Sequence, residues 1–128
     1  HFASYVRMME ETEYAFLRSR GLRVVLYDER GTMGFPRLHV SINIFDPVCF
    51  GEQVLVKLRL TEMDGKQITY CFEICNADDE ILVKGKFRAA FCRFPDDDPP
   101  FAILIPDFVT AALTESSDFR TEAQVGSI

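Results

Sequence analysis

A chain of 128 residues is the size of one domain, and with 48% hydrophobic residues and twelve Phe it can bury a sizeable core. Its apolar runs are too short to span a bilayer, and its start lacks the basic segment and apolar block of a signal peptide. A net charge of −6 speaks against nonspecific nucleic-acid binding, which needs clustered Lys and Arg, and suits solubility.

The first twenty residues organise the chain. Ala3 to Arg20 contains no Gly or Pro and reads as one amphipathic helix. At ~100° per residue, Phe2, Tyr5, Val6, Met9, Phe16 and Leu17 fall within an arc of roughly 120°, the width of a core-facing stripe. Glu13 projects into the middle of that arc and Glu10 sits at its edge. A carboxylate on a buried face is costly unless paired or functional. Gly21 fits the position that stops the helix. Leu22 to Tyr27 is a short apolar stretch, and Asp28 to Pro36 reads as a loop marked by Gly31, Gly34 and Pro36.

Four segments of period two follow. Arg37–Phe45 sets Leu38, Val40, Ile42 and Ile44 against Arg37, His39, Ser41 and Asn43. Gln53–Glu62 sets Val54, Val56, Leu58 and Leu60 against Leu55, Lys57, Arg59 and Thr61. Lys66–Asn76 sets Ile68, Tyr70, Phe72 and Ile74 against Thr69, Cys71, Glu73 and Cys75. Glu80–Phe94 sets Ile81, Val83, Phe87, Ala89 and Phe91 against Leu82, Lys84, Lys86, Arg88 and Cys92. Turns at Asp64-Gly65 and Asp78-Asp79 make three of these an antiparallel meander. The helix is the expected cover for its apolar face, and Gly85, on that face, would let the helix approach closely. Pro95 to Pro100 is a stiff acidic connector, Phe101–Ile105 an edge segment, and Pro106–Glu115 a short helix. One domain is expected over residues 1–115, with 116–128, polar and without period, as a loose tail.

The four cysteines, Cys49, Cys71, Cys75 and Cys92, form no C-x-x-C, and only His1 and His39 accompany them, so no metal site is expected. They read as reduced thiols of a cytoplasmic protein.

The stretches Phe2-Ala-Ser-Tyr-Val-Arg-Met-Met-Glu10 and Ala15-Phe-Leu-Arg-Ser-Arg-Gly-Leu22 resemble the helix motif of the 4-hydroxybenzoyl-CoA thioesterase family. His39 to Glu52 resembles that family's next strand and its P-x-x-x-G-D corner, with Glu52 in place of Asp. Gly65-Lys66 fits the following hairpin, and Asp79 to Phe94 the last strand. The resemblance covers residues 1 to about 110. It implies an α+β hotdog fold, a long central helix wrapped by an antiparallel sheet, and hydrolysis of an acyl-CoA or acyl-carrier thioester without a cofactor. It also implies that the backbone N–H of Phe2 holds the thioester oxygen. A helix start, with its unbonded amides and partial positive charge, suits an oxyanion.

The family's principal Asp lies before this helix, and no Asp precedes Asp28 here. Upstream residues, including that Asp, are therefore expected in the natural protein. Glu10 stands eight residues after Phe2, the spacing of the catalytic Glu in a sister branch. Eight residues span ~12 Å of helix, so one helix start would meet another subunit's Glu10, in a homodimer or homotetramer. His1, Ala3, Tyr5, Val6 and Met9 are the substrate-contact candidates, the last three lining an acyl tunnel. Lys84, Lys86 and Arg88 are candidates for the CoA phosphates or an acidic carrier, with Lys57 and Arg59 on the same polar strand faces.

Each candidate has a plainer reading. Glu10 reads equally as a carboxylate paired with an Arg or Lys, Glu13 as a structural paired carboxylate, His39 as a polar-face strand residue, and the basic residues as a solvated or intersubunit face. A non-hydrolytic hotdog protein, either an acyl-binding module or a dehydratase, and an inactive interaction domain are the alternatives to hydrolysis.

Overall fold

The computed structural model describes residues 2–116 and 118–124. Helix α1, Phe2–Ser19, is 18 residues long. It ends as expected at Gly21, whose φ of 74° only glycine adopts without strain. The amides of Gly21 and Leu22 donate to the carbonyls of Arg18 and Leu17 at 3.0 and 2.8 Å. This is the Schellman pattern, which satisfies carbonyls the helix itself leaves open.

Strands β1 (Val25–Asp28), β2 (Gly31–Gly34), β3 (Arg37–Ile44), β4 (Gln53–Met63), β5 (Gln67–Cys75), β6 (Ile81–Ala90), β7 (Cys92–Phe94) and β8 (Phe101–Ala102) precede helix α2 (Asp107–Thr114) and strand β9 (Asp118–Gln124). They form two sheets, ordered β1-β2-β7-β8 and β3-β6-β5-β4-β9, antiparallel throughout.

The five-stranded sheet carries the alternation read from sequence. Val56, Leu58, Tyr70, Phe72, Ile74, Val83 and Phe87 are buried on one face, where α1 lies. Phe16 of α1 meets the Tyr70 ring edge-on at 6.0 Å and the Phe119 ring at 5.7 Å. Thr12 shares a hydrogen bond of 2.7 Å with Thr121. Met9, fully buried, lies against Gly85 so closely that a Cβ there would be 2.3 Å from its sulfur. The missing side chain expected at Gly85 is thus where the helix crosses β6.

Three segments differ from the sequence reading. The expected loop Asp28–Pro36 contains β2. The Arg30 amide donates to the Asp28 carboxylate at 2.9 Å, which tightens the turn. Gly34 packs tightly: a Cβ there would stand 3.1 Å from the Val24 carbonyl oxygen and 3.3 Å from the Phe94 ring. The expected strand Glu80–Phe94 is two strands: the chain crosses between sheets at Phe91, so β6 and β7 pair with different partners. Residues 118–124, expected within the loose tail, form β9. They pair with β4 from Gln53↔Gln124 to Arg59↔Asp118, turning Phe119, Thr121 and Ala123 toward α1. An edge strand with one solvated face needs few apolar residues, which is why this one reads as polar.

Candidate active site

Tyr5 ties the start of α1 to the Pro47 corner. Its ring is buried, and its hydroxyl accepts a hydrogen bond from the Val48 amide at 3.1 Å. Tyr5 and Met9, both expected in an acyl tunnel, are enclosed in the core. Val6, between them on the helix, is half-buried and borders an open groove of about 380 Å³ lined by Val6, Val40, Ile42 and Ile44.

The three β3 residues of that groove lie on the helix side of the sheet, opposite Phe87, Gly85 and Val83. Because β3 is an edge strand, Val40 and Ile44 remain 42% and 47% exposed rather than joining the core.

One turn further along α1 stands the carboxylate pair Glu10 and Glu13. Arg37 meets both. Its Nη1 lies 3.1 Å from the Glu10 Oε2, and its Nη2 donates to the Glu13 Oε1. Strand alternation alone would turn Arg37 away with His39, as the sequence reading has it. The register instead shifts between Arg37 and His39: Arg37 pairs with Ala89 and His39 with Arg88, leaving Leu38 as the extra residue. Such a bulge re-aims a side chain. Leu38 goes outward to 53% exposure, and Arg37 turns under the helix. There its guanidinium lies over the Phe87 ring, 4.7 Å from the centroid, and 5.8 Å from that of Tyr14.

Glu13 is only 2% exposed. Burial pushes its pKa above the ordinary carboxylate value, Arg37 pulls it back, and Glu10 adds to the rise. The neighbouring Tyr70 hydroxyl is buried with no hydrogen-bond partner among the described residues. Burial, and then the charge of Glu13, hold its pKa well above that of an ordinary phenol. The cluster is a paired polar island in an aromatic core. Glu10, with its side chain 38% exposed, lies at the solvent edge of the cluster.

Lys84, Lys86 and Arg88 alternate with Gly85 and Phe87 and so project from the opposite face of the sheet. All three are exposed, and among the described residues none is in an ion pair. His39 is exposed beside Arg88. Lys57 and Arg59, on that face too, pair with Asp79 at 2.8 Å and Asp118 at 3.3 Å. No group of three His, Cys, Asp or Glu able to hold a metal ion occurs among the described residues, and the four cysteines are free.

The family model of the thioesterase superfamily matches residues 1–83. The chain belongs to that superfamily. A 1,4-dihydroxy-2-naphthoyl-CoA hydrolase from Synechocystis is 24% identical over 97 residues, which is 75% of this chain and 70% of the relative. Among solved structures, a 1,4-dihydroxy-2-naphthoyl-CoA thioesterase from Synechocystis aligns with a TM-score of 0.75 at 19% identity, over 91% of this chain and 83% of the other. A gentisyl-coenzyme A thioesterase aligns with a TM-score of 0.71 at 18% identity, over 86% and 85%. Antiparallel sheets with few helices fit the hotdog thioesterase fold of these neighbours.

Within this thioesterase, the residues expected at the site separate into three places. Phe2, Ala3 and Val6 stand at the helix start and groove, Glu10 beside Arg37, and the basic triplet across the sheet. His1 and the Phe2 side chain lie outside what is described. Arg37 is the residue that sequence reasoning left on the solvent face; only its position directly after Pro36, where a strand begins irregularly, hints at the bulge. Leu38, Val40, Ile42 and Ile44 were read as the apolar set of their strand, and period two does not distinguish an edge strand, where Val40 and Ile44 stay exposed, from a central one. No helix is long and apolar enough to cross a membrane.

Proposed function

We propose that this thioesterase hydrolyses an acyl-CoA, or an equivalent acyl-carrier thioester, to the free acid and the thiol. The observation that carries the reading is the match of residues 1–83, α1 included, to the thioesterase family. The first amides of a helix have no intrahelical acceptors. The Phe2 N–H would hold the carbonyl oxygen as it gains charge. A carboxylate takes a proton from water as the water attacks the carbonyl carbon. The tetrahedral intermediate then collapses, expelling the thiolate. Within this chain the candidate for that carboxylate is Glu10, as helper to or substitute for the Asp that the resemblance places before this helix.

In this reading α1 is the central helix around which the sheet wraps, and the site lies between subunits of a dimer or tetramer. The exposed apolar residues of the β3 edge, Leu38, Val40, Ile44 and Phe45, support assembly of copies there. Lys84, Lys86 and Arg88 offer positive charge to CoA phosphates or an acidic carrier. His1 and Ala3 would flank the thioester. No cofactor beyond the CoA of the substrate takes part, and free cysteines suit a cytoplasmic setting.

Thiol release from a panel of aliphatic and aromatic acyl-CoAs tests the assignment in the full-length protein. Turnover is expected with at least one class; silence across the panel would remove the assignment. Glu10→Gln should lower kcat, and an unchanged rate would take Glu10 out of the mechanism.

A further inference from the structure

We infer that Arg37 is a positioning residue for the hydrolysis, a fixed tether that holds the Glu10 carboxylate in the orientation from which it takes the water proton; this rests on the role given to Glu10 above. A general base must stand within hydrogen-bond reach of the proton it removes, whereas an untethered Glu samples several staggered wells at χ1 and χ2. Arg37 Nη1 lies 3.1 Å from Glu10 Oε2. The contact takes one carboxylate oxygen and leaves the other for the water.

The tether is held without help from Glu10. Arg37 Nη2 donates to the buried Glu13, and the guanidinium lies 4.7 Å from the centroid of the Phe87 ring. The bulge at Leu38 sets the direction from which the side chain enters. Arg37 is thus ordered by the core, and only Glu10 remains to be ordered, whereas an isolated surface pair must order both side chains. A guanidinium present only to neutralise Glu13 could turn both arms to it, in the two-bond arrangement common between Arg and a carboxylate. Here each carboxylate receives one arm.

An intersubunit site gives this arrangement a purpose. Glu10 stands ~12 Å along α1 from Phe2, so in the reading above it serves a thioester held at another subunit's helix start. The groups of that distant site cannot orient it before the subunits and the substrate meet. Arg37 does so from within its own chain. It opens β3, an edge strand, so the strand proposed to meet another copy also aims the carboxylate.

The test is a cycle of thiol-release kinetics in the full-length protein, with the acyl-CoA it turns over best. The proteins are the wild type, Glu10→Gln, the paired variant Arg37→Met/Glu13→Gln, and all three changes together. The paired variant removes the tether without leaving a buried charge. Its kcat is expected to fall about tenfold, since a free Glu has about nine combinations of χ1 and χ2 wells, with KM within about twofold. Added to Glu10→Gln, the same pair should slow turnover by less than about twofold, because a tether does nothing once the group it holds is gone. Crystal structures should show one Glu10 conformer in the wild type and several in the paired variant. Losses that multiply, an unchanged kcat in the paired variant, or the same single Glu10 conformer in both crystals each overturn the inference and leave hydrolysis standing. Glu10→Gln at the wild-type rate removes Glu10 and Arg37 from the mechanism together. Absence of thiol release by the wild type from any acyl-CoA removes the hydrolytic reading, and the inference with it.

Discussion

Gly85→Ala tests the contact that sets the helix on the sheet. The new Cβ would stand 2.3 Å from the Met9 sulfur and 2.7 Å from its terminal methyl, with the Ser41 carbonyl oxygen at 3.4 Å. Met9 is a flexible side chain, but it is fully enclosed, so it can yield only by displacing its neighbours. Overpacking of this kind costs about 1–3 kcal/mol. Alanine in a strand recovers about 0.5–1 kcal/mol over glycine, leaving a net loss of up to about 2.5 kcal/mol. With a urea m-value of about 2 kcal/mol/M, the midpoint falls by up to about 1.2 M. Met9→Ala alone should cost about 2–5 kcal/mol through its cavity. In that background Gly85→Ala has nothing to strike, so it should be neutral or stabilising by up to about 1 kcal/mol. Urea unfolding of the four proteins, at one protein concentration because any oligomer shifts stability by mass action, reads the coupling. If Gly85→Ala costs the same in both backgrounds, within about 0.5 kcal/mol, the contact does not set the helix position.

Arg37→Met should destabilise by about 3–5 kcal/mol, because it strands Glu13 as an uncompensated buried charge. The double variant Arg37→Met/Glu13→Gln should recover most of that loss in the same unfolding assay. The pH dependence of Glu13 follows from the direction of its shift. Its folded pKa lies above the ordinary value of 4.5, so the folded state binds the proton more tightly than the unfolded chain. The resulting stabilisation is full below about the ordinary value and is lost as pH rises through the folded pKa. Thermal unfolding of the wild type relative to Glu13→Gln should therefore improve as pH falls from neutrality toward that value; a gap that is constant or widens against the wild type would contradict the burial argument.

The central strands were legible because both their neighbours are protein. Val54, Val56 and Leu58 on β4, and Tyr70, Phe72 and Ile74 on β5, are buried on one face, so period two appears without dilution. Gly85 stood out against that pattern, and its close contact with Met9 follows from the same alternation. The edges were hidden. β9 needs only Phe119, Thr121 and Ala123 inward, and two of these do not register as apolar signal. β2 consists of four residues, two of them glycines that usually punctuate loops. At the site, Glu13 was read as a paired buried carboxylate, and the structure pairs it with Arg37. Its partner could not be named, because one inserted residue at Leu38 reverses which way Arg37 points, and no alternation rule carries that information.

The pairing of Thr12 with Thr121 joins residues 109 positions apart. Phe16 likewise waits for Phe119. Helix α1 is thus completed by the last strand described, and synthesis at ~5–20 residues per second leaves roughly 5–20 s between them. Through that interval the stripe of Phe16 and Leu17 lacks its full cover. Premature termination before β9 would release a product in which Phe16 lacks Phe119 and Thr12 lacks Thr121, with part of the apolar helix face bared to solvent.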